Sequence, residues 1–163
     1  MKQLALSIAA LALAAGMFAE TRLTPMDPAG FGKVIAAHRG KVVLVDFWAT
    51  WCKPCRAQTP ELAKLAAKLR GRGLELVTVS IDDPPQEAEA LQVLSQDGIS
   101  GAAYIKKAAD DDKFFEAIDA DWGGVVPAMF LYDRAGKKVR TFVGETPVAV
   151  IQTAVEKALG SNR

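Results

Sequence analysis

Cys52 and Cys55 are the only thiols in a chain of 163 residues, and two residues separate them. They close the stretch Val42–Cys55, which reads VVLVDFWATWCKPC. Three chemistries are open to such a pair. A structural disulfide across so short a loop gains only about 2 kcal/mol in the chain-entropy model, less than a long-range bridge would give. A structural zinc site needs four ligands, usually Cys or His. The chain offers two Cys and one His, His38; a carboxylate or Met would have to complete the set, and no spacing suggests one. The third chemistry is a redox dithiol, and physical chemistry favours it. An apolar strand feeding into a helix puts Cys52 at the helix N-cap or first turn, where unpaired amide donors and the positive dipole end stabilise a thiolate. Lys53 adds a neighbouring cation. Cys52 is then the nucleophile near neutral pH. Cys55, one turn further in and more buried, resolves the mixed disulfide formed with a substrate.

Other residues invite chemistry less strongly. Asp46 is the only charge in the strand-like run. Burial raises a carboxyl pKa, so Asp46 could take a proton from Cys55 during exchange; the competing reading is an acid at a strand end with access to water. Trp48 reads as core. Trp122, followed by Gly123 and Gly124, reads equally as a wall of a substrate groove or as packing. Asp110–Asp112 lacks the alternating ligands and turn glycine of a calcium loop, so helix capping or solvation is the better reading. His38 reads as an exposed helix residue. Pro127, ahead of an apolar run, has the form of a strand-start proline.

The elements that must position these residues are legible from periodicity. Thr21–Pro28, with two prolines, reads as a linker-like lead. Asp27 is placed to cap a helix from about Pro28 to Arg39, ended by Gly40. Val42–Trp48 is apolar on both faces apart from Asp46, as a strand covered on both sides should be. From Lys53 to about Leu69, Leu62, Leu65, Ala66 and Leu69 recur at helical spacing. Pro54 suits the first turn of that helix, Pro60 is expected to kink it, and Gly71 and Gly73 break it. Leu74–Ile81 is a second strand, Asp82–Pro85 a turn, Gln86–Gln96 a helix and Ala102–Ile105 a weak strand. Asp110–Asp112 starts a helix through about Ile118, its acids suiting the dipole. Ala128–Tyr132 and Lys138–Val143 are strands joined by the turn Asp133–Gly136. A last helix opens at Thr146 and runs to about Leu159. Alternation first and a hairpin last predict an α/β fold, a mixed sheet with helices on both faces.

Half the chain is hydrophobic and about a quarter charged, ordinary for a globular protein with one core. Lys2 followed by the apolar run Leu4–Ala19 has the form of a secretory signal, so residues 1–19 are expected to be a cleavable signal and 20–163 a single domain. Cleavage after Gly16, an uncleaved anchor and a core helix are the alternatives; the run is short of the roughly 20 residues of a span. Without residues 1–19 the chain carries 19 basic and 19 acidic residues. No basic stripe points to a nucleic-acid partner, and no basic cluster points to an anionic membrane.

The motif WCKPC, followed by Pro60 eight residues after Cys52, resembles the thioredoxin superfamily. The N-terminal segment and the long stretch from Asp82 to Gly124 are similar to its exported branch, the TlpA-like thiol-disulfide oxidoreductases. VVPAMFLYDRAGKKVRTFVG looks like the family segment carrying a cis-proline strand, a hairpin and a terminal glycine. The resemblance spans roughly Phe31 to Leu159 and implies a thioredoxin-like fold. It implies Cys52 as attacking cysteine, Cys55 as resolving cysteine, and Lys53 and Pro54 as the residues between them. Trp51 would flank the active site, and Asp46 would be the buried acid beneath the pair. Pro127 would be the cis-proline against the disulfide, and Val126 would present backbone groups to a substrate strand. Thioredoxins often pair that acid with a lysine on the next strand; Thr78 stands at the corresponding place here. The resemblance further implies a bacterial periplasmic or other extracytoplasmic location, a disulfide-bearing protein as substrate, a membrane thiol reductant as electron donor and no organic cofactor. Reduction of exported proteins, for example in cytochrome c maturation, is the expected direction. An oxidase of the DsbA type and a copper chaperone or binding module on the same fold are the alternatives.

Overall fold

A computed structural model of the chain describes residues 23–161. The signal reading of residues 1–19 lies outside the described residues. The described residues build one six-stranded sheet and five helices.

The strands are β1 (Thr24–Met26), β2 (Val42–Trp48), β3 (Leu74–Ser80), β4 (Ala102–Lys106), β5 (Ala128–Tyr132) and β6 (Lys138–Val143), and their spatial order is β1-β4-β3-β2-β5-β6. The first four in that order run parallel to one another. The terminal hairpin adds antiparallel pairing of β5 on β2 and of β6 on β5. The expected mixed sheet is therefore present. Every residue of β2 is buried, which is why its sequence is a continuous apolar run rather than an alternation.

The helices are α1 (Gly30–Ala37), α2 (Lys53–Leu69), α3 (Glu87–Gln96), α4 (Asp111–Ile118) and α5 (Val148–Gly160). Leu62, Leu65, Ala66 and Leu69 are the buried stripe of α2, as their spacing predicted. The helix runs through Pro60 as one element. It passes into a single 3-10 turn at Arg70–Arg72 and stops at Gly73, whose φ of 97° an L side chain rarely adopts. Asp110 caps α4 as expected: its carboxylate accepts the Lys113 amide at 3.1 Å.

Several boundaries differ from expectation; α5, for one, begins at Val148 with Pro147 at its N-cap rather than at Thr146. Thr24–Met26 is a strand where a linker was expected; it pairs with β4, and Met26 is buried. Helix α1 starts at Gly30 rather than Pro28. Asp27 Oδ1 accepts the amide of Gly30, the first residue of the helix, at 2.7 Å, so Asp27 closes the entry into α1 from three residues upstream. Pro84–Gln86 forms a 3-10 turn that leads into α3 at Glu87.

One aromatic cluster fills the face of the sheet that carries Phe47. Phe47 lies 5.8 Å from Phe31 of α1, 4.5 Å from Trp122 and 5.4 Å from Phe130, centroid to centroid. Successive strand residues alternate faces, so Asp46 and Trp48 point to the other side.

Candidate active site

The site grows out of the C-terminal end of β2. After Trp48 the chain turns, with the Cys52 amide donating to Ala49 O at 3.1 Å, and enters α2 at Lys53. Cys52 holds the N-cap position with extended backbone, φ −82° and ψ 96°. Its Sγ accepts the Cys55 amide at 3.3 Å. The sulfur thus takes one of the amide donors that a helix start leaves unpaired, in the place where a thiolate is best stabilised. Pro54 sits in the first turn, where its missing N–H removes no bond. Cys52 and Cys55 are joined as a disulfide with Cα atoms 5.3 Å apart, and both are buried. Trp51 next to them is 65% exposed and Lys53 is exposed.

Asp46 is 2% exposed. Burial pushes its carboxyl up from the ordinary aspartate value to about 7. The alternative of a water-accessible strand-end acid is therefore corrected. Its register partners are Thr78 on β3 and Met129 on β5, so the position beside it on the next strand holds a neutral side chain.

The Val126–Pro127 peptide bond is cis, and Pro127 is buried. Pro127 O accepts the Gly144 amide at 2.8 Å, which fastens the start of β5 to the end of β6. Val126 is half-buried and Val125 is exposed. Trp122 resolves to packing: it is buried among Phe47, Phe115 and Phe130, and its indole N–H donates to Val125 O at 2.8 Å. The Trp122 bond holds the approach to Pro127 from beneath. Trp48 is fully buried core, and His38 is half-buried at the end of α1 with Nδ1 2.8 Å from Val34 O.

Two depressions flank the cysteine pair. One is an open groove of about 670 Å³ bounded by Lys53, Pro54 and Gln58 of α2, by Pro127, and by Thr146 and Pro147 ahead of α5. It brings the Lys-Pro pair of the motif and the cis-proline onto one surface. Gln58 spans its floor, donating from Nε2 to Thr146 O at 2.6 Å. The other, of about 330 Å³, lies beside Trp51 and is lined by Asp82, Lys106, Asp111, Phe115 and Gly124. Lys106 is buried there and held by Asp83 at 3.1 Å and Asp111 at 2.6 Å. Gln58, Thr146, Asp82 and Lys106 escape sequence reasoning. Each is an ordinary residue on a helix, turn or strand end, and only the fold brings it to the motif.

The architecture and site together define a thioredoxin-like domain with a Cys-x-x-Cys pair at a helix start and a cis-proline ahead of the hairpin. The chain belongs to the Redoxin family, whose model matches residues 32–159, and it is TlpA-like within the thioredoxin superfamily. It is 31% identical over 107 residues to the thiol-disulfide oxidoreductase ResA of Bacillus thuringiensis (strain Al Hakam), covering 66% of this chain and 57% of that one. It is 32% identical over 121 residues to the thiol:disulfide interchange protein HelX of Rhodobacter capsulatus, covering 74% and 62%. Among solved structures, the thioredoxin domain of a thiol-disulfide oxidoreductase from Bacteroides vulgatus matches with a TM-score of 0.63 at 26% identity, covering 77% of this chain and 84% of that one. The chain spans roughly three fifths of the length of these two curated relatives.

Proposed function

We propose that the chain is a thiol-disulfide oxidoreductase whose Cys52–Cys55 pair reduces disulfides of protein substrates. The observation that carries this reading is Cys52 at the N-cap of α2, its Sγ on the Cys55 amide. The cycle starts from the dithiol. The Cys52 thiolate attacks one sulfur of a substrate disulfide; that S–S bond breaks, and the leaving sulfur departs as thiolate and takes up a proton. Cys52 is now joined to the other substrate sulfur. Cys55 loses its proton, attacks Cys52 Sγ and displaces the second substrate sulfur. The substrate has gained two electrons and two protons, and the protein is left as the disulfide. Asp46, with a carboxyl pKa of about 7, is our candidate for the base that takes the Cys55 proton. Trp51, Lys53, Pro54, Val126 and Pro127 are our candidates for the surface that receives the substrate; Pro54 and Pro127 lining one groove supports this.

The reductive direction rests on the Lys-Pro pair, close to the Gly-Pro of reducing relatives, and on retention of Asp46. A disulfide-bearing exported protein, for instance an apocytochrome c, is the substrate we propose. A membrane thiol reductant is the donor, and an extracytoplasmic location behind a signal at residues 1–19 completes the reading, with 20–163 as the mature domain. The names of the ResA and HelX relatives support the exchange chemistry. The test of direction is the reduction potential of the pair, equilibrated with glutathione or dithiothreitol at pH 7. A value near thioredoxin's, roughly −270 mV, agrees with a reductase; one near DsbA's, roughly −120 mV, reverses the direction. Exposed Lys53 beside Cys52 is the feature that would favour the second outcome.

A further inference from the structure

Asp82 lies just beyond the last register pair of β2 and β3, Trp48 with Ser80. It is 2% exposed, and the cysteine chemistry above makes no use of it. Its carboxylate accepts the Thr50 amide at 2.9 and 3.1 Å, Thr50 Oγ1 at 2.8 Å and Ser80 Oγ at 2.6 Å. Ser80 Oγ in turn accepts the Asp82 amide at 3.0 Å. Thr50 is itself buried and stands inside the turn that the Cys52 amide closes onto Ala49 O. The loop carrying Trp51 and Cys52 is therefore clamped by side chain and backbone to a carboxylate 32 residues away. Charge-assisted bonds of this kind are about twice as strong as neutral ones, and burial excludes the water that would compete for them.

We propose that Asp82 is a positioning residue for the reactive thiol: through Thr50 it fixes the turn so that Cys52 Sγ stays on the unpaired amides at the start of α2. The inference rests on the dithiol reading above. It makes a prediction of sign. A carboxylate acting on Cys52 through space would raise the thiol pKa, and removing it would lower that pKa. A carboxylate acting by position keeps the sulfur where the helix start stabilises the thiolate, so removing it raises the thiol pKa.

The experiment is the pH dependence of iodoacetamide alkylation of Cys52 in the full chain carrying Cys55→Ser, with folding checked by circular dichroism. Asp82→Ala is expected to shift the profile upward by about one unit, a roughly tenfold slower reaction at pH 6. Asp82→Asn keeps an acceptor oxygen for the Thr50 amide and is expected to restore most of the parent profile. Thr50→Val removes only the Oγ1 bond and is expected to slow the reaction about threefold. Should Asp82→Ala fail to fold, Thr50→Val decides, and its profile matching the parent's overturns the proposal. An unchanged or downward-shifted Asp82→Ala profile overturns it, as does an Asp82→Asn profile as displaced as that of Asp82→Ala. A parent thiol that titrates at the ordinary value of about 8.5 leaves no helix-start stabilisation for Asp82 to maintain and also overturns the proposal, whereas a parent dithiol that fails to reduce a protein disulfide removes the dithiol reading itself.

Discussion

Asp46 and Thr78 stand opposite each other across the central strand pair, both buried, and Thr78 Oγ1 has no hydrogen-bond partner among the described residues. No cation reaches the acid from that position, and desolvation alone pushes its carboxyl to about 7. The consequence for stability has a definite sign. Folding raises the pKa above the unfolded value of about 3.9, so between those two values the folded state holds the extra proton. Stability therefore falls as pH rises through this window and levels off above pH 7. Between pH 5 and pH 8 the loss attributable to Asp46 is about 3 kcal/mol at most. Asp46→Asn should remove that slope and be more stable than the parent at pH 8. Urea unfolding at pH 5 and pH 8 measures both; equal slopes in parent and variant would contradict the buried-acid account.

Thr78→Val tests the same pair from the other side. The hydroxyl it removes is buried and unpaired, so the substitution should leave stability unchanged or raise it by up to about 1 kcal/mol. A large loss would mean that the hydroxyl holds Asp46.

Gly124 is where the chain turns from the Trp122 loop toward Val126 and Pro127. Its φ is +77°, and a Cβ there would lie 2.3 Å from Phe115 Cε2. The Phe115 ring packs edge-on against Trp122 with centroids 5.1 Å apart, so it has little room to yield. Gly124→Ala is expected to cost about 2–3 kcal/mol, from strain at positive φ together with overpacking. A lowered urea midpoint and an altered tryptophan emission are the readouts; a midpoint equal to the parent's would show that the loop can move freely.

Gln58 holds the floor of the groove through Thr146 O. Gln58→Ala should release the segment ahead of α5 and weaken substrate binding, with KM for a protein disulfide raised several-fold and kcat little changed, the pattern of lost uniform binding. A fall in kcat at constant KM would instead place Gln58 with the reacting sulfurs.

The parts of this protein that could be read from its residues are those whose physics is local. Val42–Trp48 is a strand buried on both faces, and its unbroken apolar run says so. The leucine spacing of α2 and the acid capping α4 are likewise properties of neighbouring residues. The strand at Thr24–Met26 was invisible because three residues containing a proline show no periodicity; pairing with β4 makes it a strand. Asp82 reads locally as a turn residue because Ser-x-Asp after a strand has no further local meaning, and only the sheet brings Thr50 to it. Local sequence does not separate packing from groove lining at Trp122 for the same reason: Phe47 and Phe130, which bury it, come from distant strands. The cysteine pair was legible because its spacing, its uniqueness and the strand before it are all contiguous. The surface around it comes from Pro127 and Thr146, more than 70 residues away.

The central claim is that Cys52 attacks and Cys55 resolves. Its most direct measurement is the capture of a covalent complex: each single variant, Cys52→Ser and Cys55→Ser, is incubated in reduced form with a disulfide-bonded protein and resolved by non-reducing electrophoresis and mass spectrometry. A mixed disulfide is expected on Cys55→Ser, released by dithiothreitol, and none on Cys52→Ser, with neither variant turning over. Adducts of equal yield on both variants, or turnover by either at the parent's rate, would contradict it.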